Sequence, residues 1–105
     1  MDQDGIEGIF SATTTVSGNR ATVVVAGEVD MSTADRMIQA ATGERTATVT
    51  LDLRGVTFFD SAAIHALIRL AERYPDGALE VLPSAQVLRV LDISGLSDQP
   101  WLTTG

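Results

Sequence analysis

The chain is 105 residues long, a length suited to one hydrophobic core, and its 45% apolar and 20% charged composition argues against disorder and against a disulfide scaffold. Seven arginines, no lysine and fourteen acids give a formal charge of -7, which disfavours nucleic acid and anionic lipid as partners. With no Cys, no Lys and a single His, His65, thiol nucleophiles, Schiff bases and the P-loop lysine fall away; no G-x-S-x-G turn surrounds any serine, and the chain is expected not to be an enzyme.

Residues 1–8 carry two Gly and three acids without periodicity, which predicts a flexible tail and leaves 9–105 as a single domain. The acidic start is unlike a secretory signal and no run of eighteen apolar residues follows, so a cytoplasmic location without membrane insertion is the expectation. Ile9 to Val16, then Ser17-Gly18-Asn19, then the apolar run Ala21 to Ala26 predict an antiparallel hairpin whose second strand is buried on both faces and stops at Gly27. Ser32 is placed as the N-cap of a first helix carrying Asp35 in its first turn and Ala34, Met37, Ile38 and Ala41 at helical spacing, with Gly43 as its C′ residue.

Thr46 to Leu53 alternates β-branched and apolar residues, which predicts a third strand, and Arg54 to Asp60 is read as the loop that follows. Ser61 is then placed as the cap of a second helix with Ile64, Leu67, Ile68 and Ala71 on its buried face and His65, Arg69, Glu72 and Arg73 on the wet one. Pro75-Asp76-Gly77 forms a turn, Ala78 to Leu82 a fourth strand, and Ser84 caps a third helix carrying Val87, Leu88 and Leu91, with Gly95 at its end. Trp101 to Thr104 offers a closing edge strand. The order β-β-α-β-α-β-α, with or without that last strand, implies an α/β fold: a mixed sheet of four to five strands with helices packed on it.

Chemistry concentrates between Leu51 and Leu67, where Phe58-Phe59-Asp60-Ser61 passes from a strand into a helix. A capping serine contributes about 1 kcal/mol by accepting an amide hydrogen bond, and this alone is one account of Ser61. By the same reasoning Phe58 and Phe59 serve as core, Asp60 supports the helix end, Asp30 forms a turn and His65 is a solvated helix residue. The alternative is that the loops holding Asp30 and Ser61 converge at one end of the sheet as a binding edge, with His65 one turn from Ser61. No second and third ligand accompany His65, so no metal site is expected.

Gly27-Glu28-Val29-Asp30, Leu51-Asp52-Leu53, Phe58-Phe59-Asp60-Ser61 and Leu91-Asp92-Ile93-Ser94-Gly95-Leu96 together resemble, in order, the STAS domains of bacterial anti-sigma factor antagonists over roughly residues 9 to 104. The resemblance implies a STAS-like sheet backed by helices, a serine-kinase anti-sigma factor as partner, phosphorylation on Ser61, and a phosphatase acting on phospho-Ser61. It implies Asp30, Thr33, Asp60 and Ser61 as partner-binding residues; His65, which stands where the family has glycine, joins them by its place one helical turn from Ser61, and no cofactor is expected. Unphosphorylated, such a protein binds the anti-sigma factor and frees the sigma factor; phosphorylated, it is released. The family usually has a small hydroxyl residue and then Gly-Leu-Gly after the serine, where this chain has Ala62-Ala63-Ile64-His65, and these changes are expected to alter the surface of the first turn. Two other functions fit the residues: a STAS subunit docked constitutively on a membrane transporter or lipid-transport ATPase, and a sensor holding a small anion at free helix amides.

Overall fold

A computed structural model describes residues 9–103. The expected tail at residues 1–8 lies outside the described residues, as does Thr104 of the expected closing strand.

Seven elements follow in the expected order: β1 (Phe10–Ser17), β2 (Arg20–Val29), α1 (Ala34–Thr42), β3 (Thr48–Phe59), α2 (Ser61–Arg73), β4 (Leu79–Pro83) and α3 (Ala85–Ile93). They build one four-stranded sheet, ordered β1-β2-β3-β4. β1 runs antiparallel to β2 through a two-residue turn in which Gly18 takes φ 60°, a backbone that glycine adopts freely. β2, β3 and β4 are mutually parallel, an arrangement that needs the crossover connections α1 and α2 supply.

Register partners place Ala21, Val49 and Leu79 in one row and Val23, Leu51 and Val81 in the next. All six side chains are buried, and Met37 of α1, Leu67 of α2 and Leu91 of α3 close the same core. Each of these larger side chains contributes about 1.5–3 kcal/mol through removal from water. The opposite face is open in places: Val24 of β2 is 47% exposed, so the second strand is not buried on both faces as its apolar run suggests.

Both long strands outrun their expected ends. β2 passes Gly27 and reaches Val29, and β3 starts at Thr48 and covers most of the expected Arg54–Asp60 loop, ending at Phe59. Register shifts between Val24 and Ala26 and between Gly27 and Glu28 let the two strands stay paired through the irregularity. Gly27 takes φ 93° there, and a Cβ on it would lie 1.6 Å from the Ile9 carbonyl oxygen, so the glycine marks a close backbone approach and the strand continues beyond it.

Helix ends depart from expectation in three places, one of them the start of α2 described below, and match it in two. Gly43 is the C-cap of α1 with an ordinary φ of -65°, and the left-handed residue beyond it is Arg45 at φ 54°. The N-cap of α1 is Thr33, without a side-chain cap bond, and Ser32 bonds backwards to Asp30. Ser84 caps α3 as read, accepting from the Val87 amide at 3.1 Å while donating to the Val56 carbonyl at 2.7 Å. Gly95, at φ 77°, ends that helix with paired bonds from Gly95 N–H to Asp92 O and from Leu96 N–H to Leu91 O. On α2 the fully inward residues are Ala63, Ala66, Leu67 and Leu70, while Ile64, Ile68 and Ala71 are half-buried. Among the described residues the closing strand is one parallel bridge between Val81 and Leu102.

Candidate functional site

Parallel pairing brings the two loops of interest together. Val29 and Phe59, the last residues of β2 and β3, are register partners, so Asp30 and Asp60 leave adjacent strand ends side by side. A hydrogen bond from Asp60 N–H to the Val29 carbonyl, 3.3 Å, ties the start of one loop to the end of the neighbouring strand. The edge lies at the carboxyl ends of parallel strands, the usual place for binding in open α/β sheets.

Asp30 organises its loop. Its carboxylate Oδ1 accepts from Ser32 N at 2.9 Å, from Ser32 Oγ at 2.7 Å and from Thr33 Oγ1 at 3.2 Å, and its carbonyl accepts from Thr33 N and Ala34 N. The Ser32 hydroxyl is the largest influence holding the Asp30 carboxyl below its ordinary value, against a smaller opposing effect of burial and with help from the Ser32 and Thr33 amides and the Thr33 hydroxyl. Thr33 Oγ1 accepts from Asp30 N–H at 2.9 Å, and its single proton lies between the Glu28 carbonyl at 3.0 Å and the Asp30 carboxylate at 3.2 Å, so its hydroxyl is engaged within the loop. Met31, at the tip, is 84% exposed.

At the second loop the structure reverses the expected roles of two neighbours. Asp60 is the N-cap of α2: it is extended at φ -105° and ψ -170°, and its carboxylate accepts from Ala63 N at 3.0 Å. Ser61 is the first helical residue, not the cap; it is exposed, and its hydroxyl makes no hydrogen bond among the described residues. The physical reason is the bond from Asp60 N–H to Val29, which holds Asp60 in line with β3 and so in the extended backbone a cap needs. His65 is exposed one turn further along.

The aromatic pair divides by strand alternation, with Phe59 buried at 3% exposure and Phe58 presented at 45%. Met31 follows Asp30 and Phe58 lies two residues before Asp60, both exposed; the expectation that the aromatic pair serves as core holds for Phe59 and not for Phe58, and Met31 had no expected role. For Phe58 the available signal was its position one residue before the core-facing Phe59. Ala63, in place of a family glycine, is fully buried and Ala62 half-buried, so the expected change in first-turn surface falls chiefly to His65. Among the described residues no group of three or more His, Cys, Asp or Glu is placed to hold a metal ion, and no helix is long and apolar enough to cross a membrane.

A protein-family model described as "Mlab, STAS domain" matches residues 12–104. No curated protein matches the chain. Among solved structures, an anti-sigma factor antagonist from Mycobacterium paratuberculosis is similar at 22% identity and a TM-score of 0.77, over 91% of this chain and 86% of that one. The anti-sigma factor antagonist SpoIIAA in its unphosphorylated form is similar at 18% identity and a TM-score of 0.68, over 90% and 88% of the two chains. The Bacillus cell fate determinant SpoIIAA in the phosphorylated form is similar at 19% identity and a TM-score of 0.59, over 91% and 90%. These likenesses extend over the same mixed sheet and helices, and with a family model that covers nearly the whole described chain they establish that the protein belongs to the STAS domain family.

Proposed function

We propose that the protein is an anti-sigma factor antagonist switched by phosphorylation of Ser61. Residues 9–105 act as one STAS domain that docks, when unmodified, on a serine-kinase anti-sigma factor through the edge formed by Asp30, Thr33, Asp60, Ser61 and His65. The observation that carries this reading is the exposed Ser61 hydroxyl at the first position of α2, without a hydrogen bond among the described residues and beside an acid that does the capping. Support also comes from the fold shared with proteins described as anti-sigma factor antagonists, one of them solved in a phosphorylated form.

Phosphorylation adds about -1.5 to -2 charges at neutral pH. Within the domain that charge stands at the positive end of the α2 dipole, which favours an anion, so the fold survives modification. Across a docked interface the added charge lies beside Asp60 and loses its water, and a buried unpaired charge costs several kcal/mol. The kinase therefore releases its own substrate, and a phosphatase restores binding. In this reading the protein is a cytoplasmic substrate, not a catalyst, with no cofactor, nucleic acid contact or membrane insertion.

The test is the affinity of the wild type, Ser61→Ala and Ser61→Asp for the serine-kinase anti-sigma factors of the same organism, with mass spectrometry after incubation with ATP. Wild type and Ser61→Ala bind alike, and Ser61→Asp binds about 100-fold more weakly, the factor for roughly 3 kcal/mol. Equal affinity of all three rejects the switch. A second reading, constitutive docking on a membrane transporter or a lipid-transport ATPase without phosphate exchange, is favoured by the Mlab description of the matched family and by His65 on the exposed first turns of α2. Neighbouring genes for a permease and an ATPase, with no modification of Ser61, distinguish it.

A further inference from the structure

Ser61, His65, Arg69 and Arg73 follow one another along α2 at four-residue intervals, and all four are exposed. At the rise of an α-helix the line is about 18 Å long. It fits inside one interface of standard size, about 800 Å² per partner. Each step of four residues turns the line by about 40° around the axis. By its far end it has entered the groove between α1 and α2, where Arg69 and Arg73 join Ile38, Thr42, Leu70 and Glu72 around a cavity of about 400 Å³.

The charge of this line is opposite to that of the molecule, whose formal net charge is -7. Arg20 faces Glu80 at 3.8 Å and Arg54 pairs with Asp52 at 2.8 Å. Among the described residues no carboxylate lies within ion-pair distance of Arg69 or Arg73, and the Arg73 guanidinium instead sits 5.9 Å from the Tyr74 ring centre. Glu72 is the only acid within α2, and it shares the groove. Among the described residues these two arginines therefore neutralise no carboxylate. A neutral surface laid over them would strip their water without return, whereas carboxylates match the guanidinium fork in charge and shape.

We infer that the partner docking at Ser61 carries an acidic segment that runs along α2 into the α1/α2 groove and pairs with Arg69 and Arg73. The inference rests on the antagonist reading and names the chemistry of that partner's contact surface. Phospho-Ser61 then stands at the head of a track that carboxylates would otherwise follow, so modification repels the same segment that the arginines attract.

Stopped-flow association with the anti-sigma factor kinase tests this, comparing wild type, Arg69→Glu/Arg73→Glu and Arg45→Glu/Arg89→Glu. The last pair is equally exposed, lies off α2 and changes the net charge by the same amount. The α2 variant associates about tenfold more slowly than wild type at low salt, with the gap closing at about 0.5 M salt, while the control stays within about twofold. Circular dichroism verifies the fold, and Arg69→Gln/Arg73→Gln replaces the charge-reversed pair should that pair not fold. Equal slowing of both variants, or of neither, while the wild type binds, overturns the inference and leaves the antagonist reading standing. Failure of the wild type to bind removes that reading and the inference with it.

Discussion

The division of labour between Asp60 and Ser61 is open to direct measurement. Asp60→Ala removes the acceptor of the 3.0 Å bond from Ala63 N, leaving that amide without its partner at the head of α2. Loss of such a cap costs about 1 kcal/mol, within a range of roughly 0.5–2. Ser61→Ala removes an exposed hydroxyl without a hydrogen bond among the described residues and places the best helix former in the first turn, so its effect lies between zero and a stabilisation of about 0.5 kcal/mol. Urea melts followed by circular dichroism and by Trp101, the only tryptophan, separate the two. With a slope of about 1.5 kcal/mol per molar, Asp60→Ala lowers the midpoint by about 0.7 M while Ser61→Ala leaves it in place. On heating, the same 1 kcal/mol corresponds to about 4–8 °C. A Ser61→Ala midpoint as low as that of Asp60→Ala would show that the serine caps the helix, and the argument that its hydroxyl is free for chemistry would fail.

Gly27→Ala forces a Cβ to within 1.6 Å of the Ile9 carbonyl oxygen at a φ of 93°, and because the obstructing atoms are backbone the start of β1 must separate from β2; we expect a loss of about 3 kcal/mol or more, and a urea midpoint near wild type would contradict it. Ser84→Ala removes the cap of α3 and leaves the Val56 carbonyl without its 2.7 Å donor, an expected cost of about 1–3 kcal/mol by the same melt. Asp30 has a folded-state pKa below its ordinary 3.8, so its contribution to stability is present above that value and is lost as pH falls through the folded one. Ser32→Ala removes the largest cause: by carboxyl NMR the Asp30 titration moves up, and the stability gap to wild type, present at neutral pH, closes below about pH 4.

What could be read from the sequence is what local chemistry decides. Ser84 and Gly95 bracket α3 with bonds that span a few residues each, and both were legible. So was the exposed side of α2, since His65, Arg69, Glu72 and Arg73 are polar whatever packs beneath them. The buried side is legible in part: Leu67 lies inward as its spacing predicts, but bulk also points to Ile64 and Ile68, which are half-buried, whereas the packed interior takes Ala63 and Ala66, whose small side chains permit close approach. Gly27 read as a stop because a glycine in a run usually breaks it, yet pairing of Val29 with Phe59 holds both strands extended beyond the bulge. That pairing is a tertiary fact, and no window along the chain contains it.

The same pairing explains why the cap at the candidate site was placed one residue late. Aspartate and serine cap helices about equally well, so Asp60-Ser61 offers two adjacent solutions that local propensity does not separate. The bond from Asp60 N–H to the Val29 carbonyl separates them by fixing Asp60 as an extension of β3, and Ser61 then falls on the first helical residue. This one-residue difference bears on the proposed switch. Had Ser61 been the cap, esterifying its oxygen would have removed the acceptor of the helix's own bond, and modification would have weakened the fold along with the interface. With Asp60 holding the Ala63 amide, the Ser61 oxygen can take a phosphate while the cap stays intact, and the added charge meets the favourable end of the helix dipole. Under the proposed switch, phosphorylation then weakens docking while the cap and the fold stay intact, so the same domain can be used again.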